Sequence, residues 1–114
     1  MEAIIIVNKP KGISSFKTVE KIKKITKIKK IGHAGTLDPS AEGVLIVCLD
    51  KGCKKAKQFF DLDKEYIAEI TFGITTDSGD SDGVITSKQK VEVSENKLKE
   101  VLKNFIGKIQ QIPP

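Results

Sequence analysis

Apolar residues along this chain fall into two patterns, short continuous runs and helical stripes. The first run, Ala3-Ile4-Ile5-Ile6-Val7, reads as a short buried strand that the Lys9-Pro10-Lys11-Gly12 turn ends. Ser14 or Ser15 is then placed to cap a helix over residues 15–30, where Phe16, Val19, Ile22, Ile25 and Ile28 recur every three residues and seven lysines fill other positions. Lysines at its C-terminal end complement the helix dipole. A three-residue step drifts around a helix of about 3.6 residues per turn, so the regular helix should stop before Ile28.

The second run, Val44-Leu45-Ile46-Val47-Cys48-Leu49, predicts a strand buried on both faces. A short helix is expected over residues 54–60. Tyr66, Ala68, Ile70 and Phe72 then alternate with Ile67, Glu69 and Thr71, which predicts a strand that Tyr66 opens. Residues 73–83 read as an acidic loop and residues 91–93 as a short strand. Ser94 caps a last helix with Leu98, Val101, Leu102, Phe105 and Ile106 on one face, and Gly107 is placed to end it. No internal repeat or long linker breaks the pattern.

A chain of 114 residues with 39% hydrophobic content suits one small domain with a modest core. No apolar run approaches the twenty or so residues that span a bilayer, and residues 3–7 carry neither a basic leader nor a small-residue cleavage site. The expectation is a cytoplasmic protein with no membrane partner. All 20 basic residues are lysines: residues 1–60 hold 13 against 5 acids, and residues 61–114 hold 7 against 10. The first part is therefore +8 and the second −3. That polarity suits a polyanion meeting the N-terminal part, although charge alone fits a solvated lysine surface equally well. Cys48 and Cys53 lack a second pair or a nearby histidine, which argues against zinc, and Cys48 reads as a small buried hydrophobe. Setting Gly83 at the sixth place of a calcium loop leaves Gln89 where a bidentate Glu is needed, so the Asp77, Asp80, Asp82 cluster reads as a solvated loop. No metal is expected.

The densest chemistry lies in Gly32-His33-Ala34-Gly35-Thr36-Leu37-Asp38-Pro39-Ser40-Ala41-Glu42-Gly43-Val44-Leu45. Pro39 has a fixed φ and pushes Asp38 toward extended geometry, so one carboxylate is presented by a constrained backbone directly after a lysine-rich segment. An Asp-Pro pair alone is ordinary turn chemistry. The whole motif, however, resembles the GHTGTLDPxATGVL signature of the TruB family of tRNA pseudouridine synthases. Asn8-Lys9-Pro10-Lys11-Gly12-Ile13-Ser14-Ser15 resembles the family's KPxGxTS motif, and Lys64-Glu65-Tyr66 its K-x-Y strand start. Thr75-Thr76-Asp77 through Asp82-Gly83 resembles its TDTxDxxG loop, and residues 105–114 its FxGxIxQxPP segment. Ala34 and Glu42 stand where the family usually has Thr, and Asp50-Lys51-Gly52-Cys53 replaces a Gly-Glu-Ala-Thr run.

The resemblance implies an α+β fold on a mixed β-sheet with flanking helices, of which this chain would be the N-terminal portion of a single catalytic domain whose C-terminal half lies outside it. It implies isomerisation of uridine to pseudouridine in the T loop of tRNA, at position 55, without a cofactor, by a monomer. Asp38 is then the nucleophile, Tyr66 the platform for the flipped uracil and His33 a contact to the RNA loop. Lys9, Pro10 and Gly12 would support the loop formed by Gly35, Thr36, Leu37, Asp38 and Pro39, and Lys23, Lys24 and Lys27 would meet the RNA backbone. Two other readings stand beside it: an RNA-binding or RNA-remodelling module without turnover, and a guide-RNA-dependent pseudouridine synthase subunit. A nucleophilic carboxylate covered by RNA needs a cation nearby, this chain has no arginine, and the family supplies one from its later half. The 114-residue chain by itself should therefore turn over little or no tRNA, and a fragment as fast as the complete protein in a pseudouridine assay contradicts that.

Overall fold

A computed structural model describes residues 1–113, and the chain falls into two compact units, Met1–Tyr66 and Ile67–Pro114. In the first, β1 (Glu2–Lys9), α1 (Ser15–Thr26), β2 (Ile31–Ala34) and β3 (Gly43–Asp50) are followed by a 3-10 turn at Lys51–Lys55 and the short helix α2 (Ala56–Phe60). The sheet order is β1-β3-β2, with both outer strands antiparallel to β3. β1 and β2 therefore run in the same direction on either side of β3, and α1 connects them. The class is α+β. The expectation of a mixed sheet narrows, because every pairing among the described residues is antiparallel.

β1 runs two residues beyond the predicted run, since Asn8 and Lys9 keep pairing with Val44 and Gly43. Leu45, Val47 and Leu49 of β3 form the core with Val19 of α1, and Ala3, Ile5, Val7 and Ile31 pack against it. Cys48 is buried on the opposite face, whereas Val44 at the strand's start stays exposed, so two-sided burial holds only toward the end of β3. Burial, and secondarily the neighbouring Cys53, push the Cys48 thiol up from its ordinary value, as suits a packed apolar group.

Helix α1 ends before Ile28, as the three-residue step predicts. Ser14 caps it by accepting from the Lys17 amide, and Lys27 closes it in the left-handed conformation with its N–H on the Lys23 carbonyl. The drift also decides burial: each three-residue step turns about 60° back around the axis. Val19 and Ile22 therefore face the sheet, while Phe16 and Ile25 on either flank are exposed.

The second unit holds β4 (Ile74–Thr76), β5 (Ile85–Lys88) and α3 (Glu95–Leu102), the last followed by a 3-10 turn at Lys103–Phe105. Three expectations change here. Residues 66–72 form no strand despite their alternation, because an alternating face supplies no ladder, and no strand among the described residues pairs with them. Residues 91–93 form none either. The acidic loop is instead the turn of a β4–β5 hairpin, with strands too short to show a period of two. Asp80 shapes that turn: its carboxylate accepts from the Ser78 hydroxyl and from the Asp82 and Gly83 amides, and Asp77 accepts from the Val84 amide. A Cβ at Gly83 would strike the Ser78 hydroxyl and the Asp77 carboxylate, so a larger residue there would displace the side chains that shape this turn. Pro114, the end of the FxGxIxQxPP resemblance, lies outside the described residues. No helix among the described residues is long and apolar enough to cross a membrane, and no group of three or more metal-ligating side chains occurs among them.

The Ser78 hydroxyl bond, then the Asp82 and Gly83 amides, hold the Asp80 carboxyl below its ordinary range. Because the folded value is the lower one, its support for the hairpin is complete above the ordinary aspartate value and is lost as pH falls from there through the lowered one. The amide chemical shifts of Asp82 and Gly83 should report that loss in an acid titration, and Asp80→Asn should remove the step.

Candidate active site

Asp38 sits in the connection between β2 and β3, at the end of the sheet where β1 also finishes, because Lys9 pairs with Gly43. The carboxylate is exposed. The Asp38 carbonyl accepts from the Ala41 amide at 3.0 Å, closing a turn with Pro39 at its second position, where the fixed φ of proline belongs. What fixes this turn in space comes from the β1–α1 connection, nearly thirty residues earlier in the chain.

Two groups hold Pro39. The Gly12 amide donates to the Pro39 carbonyl at 2.7 Å, from a backbone with φ of +85° that favours glycine. Lys9, with 0% of its surface exposed, donates from Nζ to the carbonyls of Pro10 at 2.9 Å and Ile13 at 2.7 Å, with a longer reach of 3.5 Å to that of Pro39. A buried ammonium is costly unless its donors are used, and three carbonyls meet its three donors. The same side chain thus shapes the 10–13 turn and ties it to the Asp38 turn.

Leu37, on the other side of Asp38, is held by Ser15. The Leu37 amide donates to Ser15 Oγ at 2.9 Å, and Ser15 Oγ donates to the Leu37 carbonyl at 3.0 Å. Ser15 is 2% exposed. Both neighbours of Asp38 are therefore fastened, while its own side chain is left open to solvent.

His33 lies within β2 opposite Val47 rather than in a glycine loop. Its Nδ1 bonds the Gly35 carbonyl, and since a carbonyl only accepts, Nδ1 is the donor in that bond. Gly35 adopts φ of +103°, which turns its carbonyl back onto that ring. Thr36 is exposed and Leu37 packs against the core. Tyr66 is 68% exposed, in a segment without regular secondary structure, and opens no strand. Lys23, Lys24 and Lys27 are exposed at the far end of α1.

The structure brings Lys9 and Gly12 onto one carbonyl, that of Pro39, and the His33 ring onto the carbonyl of Gly35. The residue missed from the sequence is Ser15, read there only as a capping candidate. A signal was present: of two adjacent serines only one can be the cap, and the other is free to turn inward.

Residues 23–114 match the model of the TruB family pseudouridylate synthase (N terminal domain). The chain is similar to the tRNA pseudouridine synthase B of Fusobacterium nucleatum, at 50% identity over 114 residues, all of this chain and 40% of that protein. Those of Francisella tularensis and Dechloromonas aromatica are 45% and 40% identical, again over the whole chain and 38% of each protein. Among solved structures, a Cbf5-Nop10-Gar1 complex superposes with a TM-score of 0.62 at 31% identity, covering 97% of this chain and 29% of that one. An H/ACA RNP bound to a substrate RNA containing 2'-deoxyuridine superposes with a TM-score of 0.62 at 29% identity, covering 97% and 30%. The chain thus spans about 40% of the length of the curated relatives it matches, in the segment that carries the pinned Asp38 turn, and it belongs to the TruB family of pseudouridylate synthases, as part of its N-terminal domain.

Proposed function

We propose that the protein to which this chain belongs isomerises uridine to pseudouridine in tRNA, at position 55 of the T loop, with Asp38 as the nucleophile. The observation that carries this reading is an exposed carboxylate between two fastened backbone positions, in a chain of this family. The reaction breaks the bond from ribose to N1 of uracil, turns the base and forms a bond from ribose to C5. The C5 proton leaves and N1 gains one, so atoms balance without a cofactor. An ionised carboxylate serves this chemistry as nucleophile or as partner for the charge that develops, and a turn that holds it in place lowers the cost of alignment.

The base must leave its stack, which costs on the order of a few kcal/mol. Stacking on one aromatic ring returns about 1–3 kcal/mol. Tyr66, the one tyrosine, is solvent-exposed and takes that role in this reading. His33, its ring anchored on the Gly35 carbonyl, contacts the RNA loop in the same reading. Helix α1 leaves the Asp38 turn at Ser15, so Lys23, Lys24 and Lys27 lie roughly 12–18 Å along its axis at about 1.5 Å per residue. At that distance they meet backbone phosphates of the stem while Asp38 meets a loop nucleotide.

Identities of 40–50% to proteins named tRNA pseudouridine synthase B, against 29–31% to the solved assemblies, favour tRNA as substrate over the guide-dependent reading. In the full-length protein, Asp38→Asn should abolish pseudouridine formation on unmodified tRNA and spare most tRNA binding; unchanged turnover removes Asp38 from the chemistry. Charge reversal at Lys23, Lys24 and Lys27 should weaken binding and flatten its salt dependence by about 0.7–0.9 logarithmic units of slope for each phosphate that the variant no longer neutralises. An unchanged slope takes α1 out of the interface.

A further inference from the structure

We infer that Ser15 is a positioning residue for the reaction proposed above, setting where the Asp38 carboxylate stands through the backbone of Leu37. Three observations meet at this side chain. First, the helix does not need it: Ser14 is the cap, its side chain accepting from the Lys17 amide, so the Ser15 hydroxyl is free for other partners. Second, it is 2% exposed, at the first residue of α1, where a hydroxyl without partners would be costly. Third, both of its bonds go to one residue, accepting from the Leu37 amide and donating to the Leu37 carbonyl, at 2.9 and 3.0 Å.

That double bond pattern has a geometric consequence. A single hydrogen bond leaves a peptide free to swing about it, whereas two bonds to the N–H and C=O of one residue fix its orientation as a strand partner would. The Leu37 carbonyl belongs to the peptide that carries the Asp38 nitrogen, so fixing it fixes the plane from which Asp38 starts. Pro39 restricts Asp38 from the other side, and the Pro39 carbonyl is held by the Gly12 amide. Asp38 is thereby left with side-chain rotation as its main freedom, and the anchoring oxygen on the upstream side belongs to Ser15. Its hydroxyl is enclosed and its hydrogen bonds among the described residues both go to Leu37, so it acts on rate through alignment rather than through binding.

The inference rests on the isomerase reading, and the test separates the two. In the full-length protein, steady-state kcat and KM for pseudouridine formation on unmodified tRNA, and the tRNA Kd, are measured for wild type, Ser15→Ala, Ser15→Thr and Ser15→Cys, at a temperature well below each unfolding midpoint. Ser15→Ala should lower kcat by about ten- to hundredfold, the scale expected for misplacing a reactive group by around an ångström. KM and the tRNA Kd should stay within about twofold, because Lys23, Lys24, Lys27, His33 and Tyr66 are untouched. Ser15→Thr, which keeps the hydroxyl, should recover most of the rate. If the alanine variant does not fold, the thiol variant decides: Cys is a weak donor and acceptor, so a folded Ser15→Cys should be slow. Wild-type kcat in folded Ser15→Ala or Ser15→Cys overturns the inference, as does a rate that falls only in proportion to the folded fraction. Failure of wild type to form pseudouridine sinks the activity reading instead, and the wild-type arm reports that separately.

Discussion

The first unit is organised around a buried cation. Lys9 ends β1 with its ammonium enclosed, and the carbonyls of Pro10, Ile13 and Pro39 take its three donors. Desolvating an ammonium costs several kcal/mol, so the arrangement holds only while those carbonyls stay in place, and each is thereby constrained by the others. Two connections distant in sequence, 10–14 and 35–42, become one structure at one end of the sheet. The Gly12 amide and the Ser15 hydroxyl add to the same junction from either side of the helix cap.

Around that junction the unit separates rigidity from access. Backbone groups of Leu37 and Pro39 are committed to protein partners, while the Asp38 carboxylate between them faces solvent. The nucleophile role proposed for Asp38 needs this combination: side-chain rotamers alone align poorly, and a carboxylate enclosed by protein could not reach a nucleotide. The apolar core of Leu45, Val47, Leu49 and Val19 supplies the stiff floor, since β3 leads directly out of the Asp38 loop at Gly43. Lys23, Lys24 and Lys27 at the far end of α1 are exposed.

The second unit is held differently. None of its described residues is fully buried, and order comes from local polar contacts: the Asp80 carboxylate in the hairpin turn, the Ser94 cap of α3, and exposed pairs such as Lys99 with Glu95. Exposed ion pairs add little, typically under about 1 kcal/mol each. The acid-rich composition of this half thus appears as turn acceptors and surface pairs.

Local rules were enough for a good deal of this. Continuous apolar runs marked β1 and β3, the three-residue step fixed where α1 stops, Ser14 and Ser94 announced their helices, and the Asp38-Pro39 turn could be read with its family resemblance. These features depend on residues close together in the chain. What the sequence by itself did not determine are pairings between distant segments: the placement of His33 in β2, the β4–β5 hairpin, the absence of a strand at residues 66–72, and the inward turn of Ser15 onto Leu37. Periodicity specifies which face of an element is apolar but not which backbone completes its hydrogen bonds, and a hydroxyl carries no mark of the partner it will find. Tertiary structure alone decided those, because each is a choice among equally polar partners that only the folded chain brings within about 3 Å.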